Sequence, residues 1–226
     1  MTKQEYTAIE NYMLSQMQDS AHDKHHVYRV LNSALDIANH TEIDDADVLI
    51  AACLLHDIGR ERQFENPELC HAQIGGEMAY EFLTTQQKWS KKKARHVREC
   101  ISSHRYRGGN PPQSIEAEIV FDADKLDATG AVGIARTLIY GGQVGSLLYV
   151  PDDDGEIATE GGGGVQSPSF IQEYNYKLKN VYGSFYTKRA KEIAKARQKT
   201  AVDFYNGLFA EVTENYQSNV RRSLTD

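Results

Sequence analysis

Three short stretches put imidazoles and carboxylates where packing alone calls for apolar side chains. His56 and Asp57 follow directly on ADVLIAACLL (46–55), a run that is apolar nearly all round. A lone charge delivered into such a core is very costly to bury, and a metal ion or an ion pair is the usual remedy. Taken by itself the dipeptide reads equally as a helix end that meets solvent. His22, Asp23, Lys24, His25 and His26 precede an apolar stripe that starts at Val27, and His26 stands four residues before Val30, at the head of that face. Alone, this is a surface histidine cluster. Asp122, Asp124, Lys125 and Asp127 make the third stretch, in which Asp124 lies one helical turn after Val120 and two before Ala131, on a partly apolar face. Alone, it is a solvated acidic segment. Together, two imidazoles and two carboxylates form a mixed nitrogen and oxygen set that suits Mn, Fe, Co, Ni or Zn, with water completing the coordination.

Helices must position these groups. Val27, Val30, Leu31, Ala34, Leu35 and Ala38 follow the spacing of one helix face. The run 46–55 predicts a central buried helix. Ile74, Met78 and Phe82 mark another stripe, and Ala94, Val97 and Ile101 a third. Residues 114–139 predict one long helix with Ser114 as its N-cap after Pro111 and Pro112, and residues 187–214 a long C-terminal helix. Two stretches break the pattern. Residues 105–113 are a turn-rich loop. Residues 141–168 are Gly-rich, with an acidic turn (Asp152, Asp153, Asp154) and the glycine run 161–164. There Leu147, Leu148, Tyr149 and Val150 predict at most a short strand. The fold class is therefore all-α, with one long irregular excursion near 141–168. The reading is a single helical domain over 1–226, with a core at about 15–140 and a C-terminal helical extension at about 169–215.

Composition narrows the class. The chain has 226 residues, of which 40% are hydrophobic and 25% charged, enough for a real core and against disorder. Its net charge of −7 argues against a bulk nucleic-acid binder. No apolar run approaches the ~18 residues of a membrane span. The polar start MTKQEYTAIENYML lacks the features of a secretory signal, and Cys53, Cys70 and Cys100 form neither a disulfide framework nor a CxxC pair. A cytoplasmic protein without membrane contact is the expectation.

The order H…HD…D, carried by HDKHHVYRV, AACLLHDIGR and DADKLDATGA, resembles the HD-domain metal-dependent phosphohydrolases. HAQIGGEMAYEFL and ISSHRY resemble further elements of that superfamily. The part from FIQEYNYKLKNVYGSFYT through AKARQKTAVDFYN resembles a bacterial single-domain subgroup with nucleotide pyrophosphohydrolase-like members. The resemblance implies an HD-type helical bundle and a divalent ion (Mn, Fe, Co, Ni, Zn or Mg) held by His26, His56, Asp57 and Asp124. His26 is preferred to His22 and His25 because the family's ligand stands three residues before the Arg of an HxxRV element, here Arg29. Asp124 is preferred to Asp122 and Asp127 because the family's ligand precedes a basic residue, here Lys125.

Other polar groups fit the same chemistry. His71 and His104 sit at the ends of apolar stripes and read either as ligands of a second metal or as pocket-lining, phosphate-contacting residues. Phosphoryl transfer needs positive charge where negative charge develops. Arg60, Arg105 and Lys125 are the candidates, with Lys125 and Asp57 cast as catalytic. Arg29 reads as a structural partner that positions His26. The run Lys88, Lys91, Lys92, Lys93, Arg95, Arg98, Arg105 and Arg107 is basic, and its lysines at 91–93 read as a solvated face. His40 and His96 read as surface residues. Tyr174, Tyr176, Tyr182, Phe185 and Tyr186 either stack on a base or pack the last helix, and residues 141–168 are either a lid or a passive loop. The expected activity is hydrolysis of a small phosphorylated substrate, a nucleotide first, by a metal-activated water. Two alternatives stand beside it: a di-iron oxygenase on the same fold, and a non-catalytic nucleotide-binding module.

Overall fold

The computed structural model describes residues 1–17, 24–105, 109–152, 156–161 and 168–223, with side chains of the last segment described to residue 213. His22, Asp23, Arg107, Asp153, Asp154 and Gly162, Gly163 and Gly164 lie outside the described residues. The fold is all-α. Among the described residues no strand forms, and no helix is long and apolar enough to cross a membrane. The chain forms two compact units, Met1–Asp127 with Phe185–Ala190, and Ala128–Ser184 with Lys191–Asp226.

The first unit contains α1 (Lys3–Gln16), α2 (Lys24–Ala38), α3 (Ala46–Leu55), α4 (Arg60–Glu65), α5 (His71–Thr85), α6 (Lys91–Ser103) and α7 (Ile115–Leu126). Helix α3 is its centre and packs against α1, α2, α5, α6 and α7. Asp45 caps it by accepting from the N–H groups of Asp47 and Val48. Val48, Leu49, Ala51, Ala52, Cys53, Leu54 and Leu55 are all buried, as an all-round apolar helix must be. Each large side chain so buried stabilises the fold by about 1.5–3 kcal/mol. The inner face of α2 is Val27, Val30, Leu31, Ala34 and Ile37, whereas Leu35 turns out to solvent. Leu35 lies about 100° round the helix from Ala34, just beyond the edge of the buried stripe. In α5 the deepest positions are Ala72, Gly75, Gly76, Ala79 and Leu83, with Ile74 and Met78 half-buried at the margin.

One close approach matters for the site. A Cβ on Gly59 would lie 2.2 Å from the carbonyl oxygen of His71 and 2.7 Å from the amide nitrogen of Gly75. Only a glycine lets the turn after His56 and Asp57 lie against the first turns of α5.

The predicted helix 114–139 is two helices. Ser114 caps α7 by accepting from Ala117 N, as its position implies. The helix then stops at Leu126, and α8 (Gly130–Gln143) starts afresh in the second unit. Gly130 adopts φ +60°, a left-handed conformation that interrupts an α-helix, and the apolar pattern carries no mark of it. Helix α9 (Phe170–Glu173) runs directly into a π-helical turn (Tyr174–Leu178) and a 3₁₀ turn (Val181–Gly183), and α10 is Lys188–Ser223. The second unit's core joins Ile134, Phe170, Tyr174, Leu178 and Ala201, with Tyr182 and Tyr205 packed against it. Of the five aromatic residues singled out in the sequence, Tyr174 thus belongs to this core and Tyr182 lies against it. The expected strand at 147–150 is reduced to isolated bridges, Leu147 with Ser169 and Pro151 with Ile157.

Candidate metal centre

Each functional imidazole of the first unit sits at a helix end. His26 is in the first turn of α2, His71 opens α5, and His56 and His104 are the C-caps of α3 and α6. All four are buried. The two C-cap histidines use the same device. His56 Nδ1 donates to the Cys53 carbonyl at 2.7 Å, and His104 Nδ1 donates to the Ile101 carbonyl at 2.6 Å. A carbonyl only accepts, so the proton is on Nδ1 and the lone pair on Nε2. His26 Nδ1 donates to Asp127 Oδ2 at 2.7 Å, and His71 Nδ1 to Gln63 Oε1 at 2.6 Å. As neutral imidazoles, all four would therefore present the lone pair of Nε2.

Those four Nε2 atoms converge on Asp57. Its Oδ2 lies 3.5 Å from both His26 Nε2 and His56 Nε2. Its Oδ1 lies 3.6 Å from His71 Nε2 and 3.7 Å from His104 Nε2. Asp124, near the end of α7, brings Oδ1 to 3.4 Å from His26 Nε2 and 4.0 Å from His56 Nε2. The two Nε2 atoms of His26 and His56 stand 3.2 Å apart. Asp57 Oδ2, His71 Nε2 and His104 Nε2 are buried without a hydrogen-bond partner. Buried acceptors with no donor are costly, and a cation is what satisfies several at once. The donor set fits a divalent transition metal, and the Nδ1–H bonds to carbonyl, carboxylate and amide oxygens orient the rings as metal-binding imidazoles are oriented. Two sets lie within ligating distance: His26, His56 and Asp57, and Asp57, His71 and His104.

Charge around the centre is paired. Arg60 Nε donates to Asp57 Oδ1 at 2.9 Å, Lys125 Nζ to Asp124 Oδ2 at 2.8 Å, and Arg29 Nε to Asp127 Oδ1 at 2.7 Å. Burial alone would push the Asp57 carboxyl up, but Arg60 and the His56 imidazole outweigh it and hold it well below the ordinary range. Asp124 is likewise held well below by Lys125 and His26 against the effect of burial. Burial takes His56 down to about 4, only partly offset by Asp57. Burial and then Arg60 take His71 down to about 2. The carboxylates are thus ionised and these imidazoles neutral near pH 7, the forms that bind metal.

The remaining sequence candidates are placed as follows. Lys125 also donates to the His104 carbonyl at 3.1 Å and lies over the Phe121 ring. Arg105 Nη1 donates to Cys70 Sγ at 3.4 Å, next to His71 in the chain and outside the carboxylate cluster. Asp122 is buried elsewhere, accepting from the backbone of Tyr186 and Thr187. His25 and His40 are exposed, and Lys91 and Lys92 are solvated. Lys93 is not, for its ammonium bonds Asp47 at 2.8 Å. His96 is half-buried rather than a free surface residue, lying 2.9 Å from Ser114 Oγ and 3.3 Å from Glu116. Sequence reasoning missed two supports. Asp127 carries the mark of its place, one turn after Asp124; Gln63 carries none.

Comparisons with known proteins bear on the family and the fold. The sequence profile of the HD domain matches residues 24–129. YpgQ of Bacillus subtilis is 30% identical over 201 residues, covering 86% of each chain. This chain belongs to the HD-domain phosphohydrolase family. The crystal structure of YpgQ in complex with ADP superimposes on this HD-domain chain with a TM-score of 0.70 at 26% identity, covering 92% of this chain and 97% of that one. An HD-superfamily hydrolase from Bacillus thuringiensis gives 0.67 at 28% identity over 93% and 98% of the two chains. A protein from Lactobacillus plantarum gives 0.75 at 28% over 94% and 98%. An HD-type hydrolase fold is thereby shown.

Proposed function

We propose that the protein is a metal-dependent phosphohydrolase whose substrate is a small phosphorylated molecule, a nucleotide first. The observation that carries the reading is the convergence of His26 Nε2, His56 Nε2, Asp57 Oδ2 and Asp124 Oδ1, all of them acceptors, in one buried place. These four atoms would hold a divalent ion. Such an ion supplies a water of lowered pKa and polarises a phosphoryl oxygen. The chain's own residues do the rest. Asp57 orients the attacking water through Oδ2. His104 Nε2 and His71 Nε2 accept its hydrogen bonds, and His71, held neutral by burial, adds no repulsion. Lys125 and Arg60 bring positive charge to the side where phosphate oxygens gain negative charge.

Electrostatic balance favours a polyanion as substrate. Three carboxylates (Asp57, Asp124, Asp127) are matched by three cations (Arg60, Lys125, Arg29), so one divalent ion leaves the cluster at about +2. A phosphate dianion cancels that charge. The ADP bound by YpgQ, a relative at 26% identity in that structure, supports a nucleotide. Three free thiols suit a reducing cytoplasm as the place of work.

A second reading, a di-iron oxygenase, draws on one observation, that Asp57 presents an oxygen to each of two imidazole pairs. Iron content and oxygen-dependent turnover separate it from hydrolysis. The main test is incubation with Mn²⁺ and a panel of nucleotides and other phosphoesters, products identified by mass. Turnover that is lost in Asp57→Ala while the helical circular dichroism is kept is expected. No product from any phosphoester in the presence of bound metal would overturn the reading.

A further inference from the structure

Asp57, His71 and His104 form a complete three-ligand set, and catalytic metal sites commonly use three protein ligands. Both imidazoles have Nδ1 engaged and Nε2 buried without a partner. By ligand geometry alone a second ion belongs there. The charge says otherwise. Arg60 Nε stands 2.9 Å from Asp57 Oδ1, the oxygen that this ion would need. A guanidinium does not deprotonate, so its positive charge is fixed. It also sits in the first turn of α4, where the helix dipole disfavours a cation, and Asp57 is the carboxylate that offsets it. Lys125 adds a second fixed charge nearby, bonded to the carbonyl of His104. With every carboxylate of the cluster already matched by a cation, two divalent ions would leave about +4 in a buried place, against +2 for one.

We propose that Arg60 takes the place of a second metal ion and keeps the centre mononuclear, so that loss of its charge converts Asp57, His71 and His104 into a working second metal site. The proposal rests on the reading that His26, His56, Asp57 and Asp124 hold the first ion. Arg60 is then a residue that sets metal number, acting through Asp57. It is an alternative to metal at the second set: where a chain of this architecture lacks the guanidinium, the same imidazoles are free to ligate.

The test counts Mn²⁺ per chain by equilibrium dialysis in phosphate-free buffer and reads the electron paramagnetic resonance of the bound ion. The wild-type protein is expected to bind one ion with the six-line spectrum of isolated Mn²⁺. Arg60→Met, which keeps the aliphatic stem, is expected to bind two, with the altered spectrum of an exchange-coupled pair. Adding His71→Ala to Arg60→Met should return the count to one. Two ions in the wild type overturn the proposal, as does one ion in a folded Arg60→Met protein. A count of two that survives the His71→Ala addition places the extra ion elsewhere and also overturns it. Arg60→Gln is the companion variant. A side chain one-third exposed, whose task is to balance charge, is not needed for folding, so collapse of both variants counts against the proposal. A wild type that binds no Mn²⁺ defeats the proposed function as well, which separates that failure from this one.

Discussion

Asp127→Asn changes one oxygen to an NH₂ group and leaves the shape of the site alone. Among the described residues the Asp127 carboxylate accepts three bonds: from His26 Nδ1 at 2.7 Å, from Arg29 Nε at 2.7 Å and from a second Arg29 nitrogen at 3.0 Å. An asparagine has one accepting oxygen. If it faces Arg29, its NH₂ group faces His26 Nδ1, and the imidazole can meet that donor only by shedding the Nδ1 proton. The proton then moves to Nε2, which removes the lone pair from the centre. If the oxygen faces His26, the NH₂ group opposes the guanidinium of Arg29. In the first arrangement His26 loses its lone pair at the centre; in the second it keeps the Nδ1 bond, but to a neutral acceptor whose NH₂ group is opposed by Arg29, so the support of this one ligand is weakened while the other three stand. Outer-shell partners of this kind are worth about 10- to 100-fold in metal affinity, or about 1.4–2.7 kcal/mol. A chelator-competition titration with Mn²⁺ measures it, with circular dichroism to establish that the helices remain. An unchanged Kd in a folded Asp127→Asn protein would refute the claim that Asp127 fixes the His26 tautomer.

Three further expectations follow from the same contacts. Lys125→Ala should keep the bound metal, since a cation does not ligate one, but lower kcat by about 10- to 1000-fold if Lys125 acts on charge developing in the transition state; full activity would move the phosphate contact to Arg60 or Arg105. Gly59→Ala drives a Cβ into the His71 carbonyl at 2.2 Å, so it should cost about 1–3 kcal/mol and lower Tm by about 2–4 °C for each; a Tm equal to wild type would refute the close approach of α5. The metal-free protein should lose stability as pH falls from about 6.5, because His56 and His71 stay neutral when folded, at about 4 and about 2, and take up protons when unfolded. That loss runs at about 1.4 kcal/mol per pH unit for each histidine. Asp57 and Asp124 have the opposite charge type but push the same way, since their folded values lie below the ordinary ones and their contribution disappears below about pH 4. A Tm that is flat between pH 7 and 4.5 would contradict it.

What the sequence made legible follows from where its signals are local. The burial of α3 was readable because every position from Val48 to Leu55 apart from Ile50 is buried and apolar, and nothing but a core accepts such a helix. His56 and Asp57 stood out because they close that run. His26, Asp124, His71 and His104 were readable as candidates because each interrupts or ends an apolar stripe. Pairing between distant residues was not readable. Arg29 is 98 residues from Asp127, and nothing in either neighbourhood marks the other. Gln63 serves His71 from a short helix with no buried residue, so it has no stripe to interrupt. The break at Gly130 was hidden because apolar spacing runs through it, while the interruption is a backbone angle that only the folded chain reveals. His96 looks like a surface residue in the sequence because its partner Glu116 belongs to another helix.

The most direct measurement is a crystal structure of the protein grown with Mn²⁺, with the ion located by its anomalous scattering. The account predicts one strong peak, about 2.0–2.3 Å from His26 Nε2, His56 Nε2, Asp57 Oδ2 and Asp124 Oδ1, with the Nδ1 bonds to Asp127 and to the Cys53 carbonyl retained. A peak elsewhere in the chain, or these four side chains turned away from a common point at saturating Mn²⁺, would contradict it.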